Sequence, residues 1–128
     1  NYDGKTNGIT APGGASQTKL VQSVYSQFQI NPEEIEHIVT HGTGTKLGDP
    51  VEVDALIGAY KTKKSAFCAL TSTKSNLGHA LAASGIVNLI SLALSLQHKL
   101  IPASLHCKEP NRYIAWEGSP FYVNRVNR

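Results

Sequence analysis

Residues 35–60 read IEHIVTHGTGTKLGDPVEVDALIGAY, and this stretch decides the fold class. Its first part, Ile35 to His41, contains a β-branched run and is followed by glycines, a pattern that predicts a short strand. Its second part, from Asp49 to Tyr60, carries apolar residues at helical spacing and predicts a helix. A strand that leads directly into a helix indicates a βα unit and therefore an α/β fold.

The helix has a clear start signal. Asp49 stands at the N-cap position, Pro50 at the first helical position and Glu52 three residues after the cap, which together predict a capping box. The two carboxylates are also candidates for an acid and base pair, but for Asp49 we favour the cap. For Glu52 a second interpretation stays open, in which it pairs with Lys74 at the same edge of the sheet.

The rest of the chain continues the α/β order. Apolar residues at helical spacing predict a helix with one buried face before this stretch and a long, almost wholly apolar helix after it. Short apolar runs predict two further strands. The predicted helices are Gln17–Phe28 and Ala80–Leu96, and the predicted strands are Phe67–Ser72 and Phe121–Val123.

The first two strands should run parallel, because a crossover helix joins them. Their carboxyl ends then meet at one edge of the sheet, where ligands bind in open α/β folds. The first strand ends in His41 beside Gly42 and Gly44, and the second is followed by the polar loop that ends in His79. We therefore expect both histidines to emerge together at this edge.

Either histidine alone is most simply explained as a structural residue. Together, in loops of glycine, threonine, asparagine and lysine, they form a poor core and a suitable donor pair for a developing oxyanion. His37 and His41 have a spacing found in zinc sites, but they lie on a predicted strand, so we expect no metal. Gly42-x-Gly44 lacks the third glycine of a dinucleotide-binding loop, and no nucleotide is implied.

The composition bounds the class of protein. Twelve Lys and Arg against nine Asp and Glu give a net charge of +3, and charged residues make up 16% of the chain. The basic residues are mostly scattered, which argues against a nucleic-acid partner. The low charge fraction indicates a surface that another chain or segment covers, as in a fragment or an oligomer subunit.

Two cysteines, Cys68 and Cys107, are too few for a disulfide framework and favour a reducing, cytoplasmic setting. Cys68 lies in an apolar strand, where we expect an inert buried thiol. The apolar stretch Ala80–Leu96 is interrupted by polar residues and is shorter than the ~20 residues that span a bilayer, so we expect a core helix and no membrane contact. The chain opens at Asn1 without an initiating Met or a signal peptide, in a turn-like sequence typical of the middle of a protein.

Three longer motifs follow one another along the chain. They are Asn1-x-Asp3-Gly4-Lys5 with Thr10-Ala11-Pro12, then His41-Gly42-Thr43-Gly44-Thr45-Lys46-Leu47-Gly48-Asp49-Pro50-x-Glu52, then Lys74-Ser75-Asn76-Leu77-Gly78-His79 with Ala82-Ala83-Ser84-Gly85. Together they resemble the C-terminal half of a β-ketoacyl synthase domain of a modular, type I polyketide synthase, in the thiolase-like superfamily. The resemblance implies that residues 1–128 form one partial domain, with a mixed, mostly parallel sheet and one long buried helix.

In that family a cysteine carries the acyl chain as a thioester, and two histidines assist the decarboxylation of a malonyl-type extender. The resemblance implies that His41 and His79 are this pair and that Lys74 holds its loop, with Glu52 as the partner of Lys74. It implies a decarboxylative Claisen condensation, which would make the intact domain an acyltransferase. The enolate oxygen formed on decarboxylation is the charge that two N–H donors would stabilise.

The resemblance also implies how substrate arrives. Thr43, Thr45 and Asn76 would contact the phosphopantetheine arm on which an acyl carrier protein delivers the acyl group, with Asp49 and Glu52 in supporting positions. That arm belongs to the partner, and we expect no cofactor bound by this chain itself.

The nucleophilic cysteine of the family lies in an N-terminal half that this chain does not contain. We therefore expect three partners, which are that half, a second copy in a homodimer and the carrier protein, and we expect the isolated chain to be inactive. A non-catalytic module that binds carrier protein or dimerises is the alternative. A small hydrolase that uses Cys107 with a nearby histidine is a weaker third interpretation.

Overall fold

The computed structural model describes residues 4–6 and 11–128. The longer helices and the strands follow the predicted order, but a short helix, Lys74–Leu77, lies in the segment predicted as a polar loop. Two short 3₁₀ turns complete the described elements. The helices are α1 Gly14–Gln27, α2 Gly48–Tyr60, α3 Lys74–Leu77 and α4 Ser84–His98; the strands are β1 His37–Val39, β2 Cys68–Thr71 and β3 Phe121–Val123; the 3₁₀ turns are Pro32–Glu34 and Leu81–Ala83.

The three strands found in the described residues form one sheet in the order β1-β2-β3, with β2 in the centre. Both pairings are parallel, and His37 lies opposite Ala69 while Cys68 lies opposite Phe121. The predicted parallel course of the first two strands is confirmed, whereas the described part of the sheet has no antiparallel strand of the mixed sheet that was expected. All four residues of β2 are buried, as the centre of a covered parallel sheet requires.

The core lies between α2 and the sheet. Its buried residues are Val53, Tyr60, Cys68, Leu70, Ile114 and Phe121. The rings of Tyr60 and Phe121 meet edge to face with their centroids 4.7 Å apart, a favourable aromatic geometry. Burial raises the pKa of the Tyr60 hydroxyl above its ordinary value, so this group stays protonated in the core.

Helix α1 lies on the outer face of α2. The Thr18 hydroxyl donates to the Ala55 carbonyl at 3.0 Å, and the Gln22 amide donates to the Gly58 carbonyl at 3.1 Å. The prediction of a buried face is only partly right, because Leu20 and Phe28 are exposed. The helix packs mainly on α2, so the side of α1 that is turned away from α2 stays open to solvent.

The long helix α4 differs most from expectation. No residue of α4 is buried, and Leu89 and Leu96 are 60% and 80% exposed. The prediction of a buried core helix is therefore wrong for this chain, because three strands of three or four residues offer too little surface to cover fifteen helical residues. By length and composition, Leu81–His98 is apolar enough to cross a membrane, a criterion that core helices of soluble proteins also meet.

Candidate active site

His41 and His79 meet at the carboxyl edge of the sheet. His41 follows the end of β1 by two residues, and His79 follows the short helix α3 that comes after β2. Their ring centroids lie 5.1 Å apart with an interplanar angle of 80°. The prediction that the two histidines share this edge is confirmed, and both are exposed to solvent in this chain.

Hydrogen bonds assign the protonated nitrogen of His79. The backbone N–H of Leu81 donates to His79 Nδ1 at 3.0 Å, and Ser84 Oγ lies 3.3 Å from the same atom. A nitrogen that accepts an amide hydrogen bond carries no proton, so the neutral ring holds its proton on Nε2. His79 therefore presents Nε2–H as a donor.

The contact with Lys74 identifies the protonated nitrogen of His41 in the same way. Its Nζ lies 3.3 Å from His41 Nδ1 and also donates to the backbone carbonyl of His41. An ammonium group only donates, so Nδ1 accepts and the proton of the imidazole again lies on Nε2. The site thus holds two imidazoles that can each offer one N–H to a developing negative charge.

The carboxylates of α2 hold the loop that carries His41. Glu52 accepts from the backbone N–H of His41 at 2.6 Å through Oε1 and from that of Gly42 at 2.9 Å through Oε2. Asp49 accepts from the N–H of Gly44 at 3.1 Å. The predicted capping box is wrong, because both carboxylates accept hydrogen bonds from backbone amides of the His41 loop. In addition, α2 begins at Gly48, one residue before the predicted N-cap Asp49.

The predicted pairing of Lys74 with Glu52 is also wrong. Among the described residues, the ion pair that forms joins Lys64 to Glu33, with Nζ 2.8 Å from Oε2, and not Lys74 to Glu52. Both oxygens of Glu52 are occupied by backbone amides, and Lys74 is turned instead to His41. Lys74 therefore contacts the catalytic candidate directly rather than through a carboxylate.

Thr43 and Thr45 lie together just before the start of α2. Their hydroxyl oxygens are 3.2 Å apart, and Thr45 Oγ1 accepts from the N–H of Gly48 at 3.0 Å. A Cβ at Gly48 would come within 2.5 Å of that oxygen, so a larger residue there would force the Thr45 hydroxyl to move. Asn76, in contrast, is exposed, and its Oδ1 accepts from the neighbouring Ser75 hydroxyl.

A cavity of about 670 Å³ adjoins the histidine pair. Its walls are the Gly42–Gly44 loop with Lys74 on one side and the segment 104–116 on the other, and Thr43, Asp49 and Glu52 also line it. Neither imidazole lines the cavity, so the two histidines lie beside it, and Lys74 contacts both His41 and the cavity. The sequence did not indicate this wall, because residues 104–116 carry no periodic pattern.

Ser72 is a site residue that sequence reasoning missed. Its hydroxyl donates to the Gly42 carbonyl at 3.1 Å and accepts from the N–H of Lys74 at 3.3 Å. Gly42 has a φ of +46°, and a Cβ there would come within 2.9 Å of Ser72. A serine at the end of a predicted strand carries no signal of its own, because only the parallel pairing brings it to the opposite loop.

The cysteines offer no activated nucleophile. Cys68 is fully buried, and burial raises the pKa of its thiol to about 11, which confirms the expected inert thiol. Cys107 lines the cavity with its Sγ 3.6 Å from the Glu109 carbonyl. Within residues 4–6 and 11–128 no hydrogen bond joins it to a histidine, so the hydrolase interpretation lacks its base.

Comparison with known proteins identifies the family of the chain. Residues 1–108 match the family described as "Beta-ketoacyl synthase, C-terminal domain". The chain is 49% identical over 128 residues to polyketide synthase ThaG of Burkholderia thailandensis and 46% identical over 130 residues to polyketide synthase PksM of Bacillus subtilis, covering 98% and 100% of this chain.

Solved structures of ketosynthases have the same fold. The ketosynthase from module 6 of the bacillaene synthase of Bacillus subtilis 168 superposes with a TM-score of 0.95 at 45% identity, over 100% of this chain and 23% of that one. The chain spans only 2% and 3% of the length of the two curated relatives. The first motif is part of the family match, although residues 1–3 and 7–10 lie outside the described residues. The fold is thus α/β of the thiolase-like type, and the chain belongs to the β-ketoacyl synthase family as part of its C-terminal domain.

Proposed function

We propose that residues 1–128 are the histidine-bearing part of a polyketide ketosynthase domain, whose remaining part supplies the nucleophilic cysteine. The proposed reaction is the decarboxylative Claisen condensation of an acyl thioester with a malonyl-type extender on acyl carrier protein. The observation that carries it is the histidine pair, in which each Nδ1 is engaged and each Nε2–H remains to donate. Family membership and the ketosynthase fold support the same reaction.

The chemistry follows from where charge develops. Decarboxylation breaks the bond between the malonyl carboxylate and Cα, carbon dioxide leaves, and the electron pair moves into an enolate. The enolate oxygen accepts from the Nε2–H groups of His41 and His79, which act as an oxyanion hole. The enolate carbon then attacks the acyl thioester on the cysteine of the other part, and the cysteine leaves as thiolate.

The groups behind the histidines prepare this arrangement. Lys74 holds His41 by its carbonyl and Nδ1, while Glu52 and Asp49 hold the loop backbone. Donors whose positions are set before reaction need no reorganisation when charge appears. Lys74 is therefore in direct contact with a reacting group, and the carboxylates act through the loop.

The cavity beside the histidines suits an amide-bearing arm. Thr43 lines it, and the hydroxyl of Thr43 can bond the amides of the carrier protein's phosphopantetheine, with Thr45 beside it. This chain would bind the arm without covalent attachment. Asn76, which is exposed, would contact substrate only if the complementary part of the domain closes over it.

The proposed partners follow from the exposed surfaces. The apolar face of α4 would pack against the complementary part of the ketosynthase, and the assembled domain would form a homodimer that acts in the cytoplasm with acyl carrier protein. The open histidine edge would be covered by the same assembly, which would exclude water from the enolate.

The test measures two steps separately in an intact ketosynthase domain that contains this chain. We expect His41→Ala and His79→Ala each to slow carbon dioxide release from malonyl thioester by roughly a hundredfold to a thousandfold, the effect of removing one oxyanion donor. Formation of the acyl-enzyme, which needs only the thiolate and the acyl thioester, should fall much less.

His98→Ala is the matched control, because His98 ends α4 and is exposed. It should change neither rate. Carbon dioxide release at the parent rate in both histidine variants would show that the pair is structural. An intact domain that accepts no acyl group would favour the alternative, a module that only binds carrier protein.

A further inference from the structure

Asn88 is a half-buried polar residue on the apolar helix α4, next to the exposed Leu89 and Ile90. Its side chain is turned toward the carboxyl edge of the sheet. The Thr73 hydroxyl donates to Asn88 Oδ1 at 2.8 Å, and Asn88 Nδ2 donates to the Thr40 carbonyl at 3.3 Å, with the Val39 carbonyl at 3.5 Å. One carboxamide thus bonds two separate loops.

The two loops are those that carry the reacting groups. Thr40 directly precedes His41, and Thr73 directly precedes Lys74. Lys74 in turn reaches His41, so the distance between these two residues depends on how the loops are held. Helix α4 itself follows His79, whose Nδ1 contacts Ser84 at the first residue of α4.

We propose that Asn88 is a positioning residue that holds the Thr40–His41 peptide and the Thr73–Lys74 segment at a set distance, so that Lys74 engages His41 and His41 faces His79. This inference rests on the proposed function for its effect on rate. A carboxamide suits this role because it accepts with one atom and donates with the other. Replacing it by an apolar group leaves the Thr73 hydroxyl and the Thr40 carbonyl without this partner.

The test uses Asn88→Leu, which keeps the size of the side chain and removes both hydrogen bonds, in the intact ketosynthase domain. We expect carbon dioxide release from malonyl thioester to fall between about tenfold and a hundredfold, the effect of a small misplacement of reacting groups. Acyl-enzyme formation should stay within about twofold of the parent, since the histidines act after that step. A general loss of structure would lower both rates together.

A second measurement does not depend on activity. Amide hydrogen exchange in segments 40–43 and 73–76 should become faster in Asn88→Leu, because the bond that joins these loops is gone. Thr73→Val, which removes one of the hydrogen bonds and nearly keeps the shape of the side chain, should give a smaller change in the same direction. It serves as the test should Asn88→Leu fail to fold.

Ser91→Ala is the matched control, because Ser91 is half-buried on the same helix one turn further on. It should leave exchange and both rates unchanged. Unchanged exchange in both segments, or an equal loss of acylation and decarboxylation in Asn88→Leu, would overturn the proposal. If the parent domain releases no carbon dioxide, the proposed function fails, and the exchange measurement still decides whether Asn88 holds the loops.

Discussion

Glu52 fits a local helix-capping pattern, but its carboxylate binds backbone groups of a loop ten residues earlier in the chain. Its spacing from Asp49 predicts a helix cap, yet both of its oxygens accept backbone N–H groups from the His41 loop. A carboxylate that accepts two amide hydrogen bonds forms stronger, charge-assisted contacts than a neutral acceptor. The helix α2 thus fixes the backbone that carries the imidazole of His41.

Glu52→Gln tests this role at the residue scale. A glutamine keeps one acceptor, but its NH₂ group then faces an amide N–H, so we expect a loss of about 1–3 kcal/mol in the free energy of unfolding. Denaturant titration measures this loss. Asp54→Asn, which changes an exposed carboxylate on the same helix, should cost less than about 0.5 kcal/mol. An equal, small effect of both substitutions would refute the role.

At the scale of elements, β1 and β2 are joined by a side chain as well as by the ladder. His37 Nε2 on β1 lies 2.8 Å from Thr71 Oγ1 on β2. Burial lowers the pKa of His37 below its ordinary value of 6.5, since the charged ring would lose hydration. The folded sheet therefore favours the neutral form of the His37 ring.

This burial predicts a pH dependence of stability. At a pH between the two pKa values of His37, the unfolded chain binds more protons than the folded chain, so the free energy of unfolding falls as pH falls through 6.5. Between about pH 7.5 and about pH 5.5 the melting temperature should drop less in His37→Gln than in the parent.

The control is His98→Gln, which removes an exposed histidine and should keep the parent's slope. Thermal unfolding followed by circular dichroism at several pH values provides the comparison. Parallel slopes in His37→Gln and the parent would show that His37 makes no contribution to the pH dependence.

At the scale of the whole molecule, the described part of the chain is one-sided. The core lies between α2 and the sheet, whereas α4 leaves Ile86, Leu89 and Ile90 more than half exposed. An apolar patch of this kind is typical of a surface that meets another protein surface. The family match to a C-terminal domain agrees with a chain that is completed by other parts.

The exposed helix predicts that the purified 128-residue chain associates. We expect oligomers in sedimentation and strong binding of a hydrophobic dye, and we expect a Leu89→Lys and Ile90→Lys double variant to reduce both, since charge on the patch opposes its burial. Val126→Lys is the control, because Val126 is 56% exposed but lies outside α4. A compact, dye-free parent monomer would contradict this prediction.

Local pattern was sufficient for the order of the longer elements and for the meeting of the two histidines, but it gave a polar loop where the short helix α3 lies. The spacing of apolar residues and the positions of glycine and proline predict β1, α2, β2 and β3. The parallel course of β1 and β2 then brings His41 and His79 to one edge. Cys68 was also predictable, because an apolar strand at the centre of a sheet is buried on both faces. These features depend on neighbours within one or two elements.

Tertiary structure alone decided the partners of the polar groups and the exposure of α4. The hydrogen-bond partners lie ten to almost fifty residues away in sequence for Glu52, Lys74 and Asn88. Which donor meets which acceptor depends on distances of a few ångström, and the spacing of residues along the sequence does not determine these distances. The apolar composition of α4 indicates that it packs against another surface. Only the tertiary structure shows that, within the described residues, the short strands leave α4 exposed to solvent. Burial is a property of the assembled surface, whereas periodicity is a property of the segment.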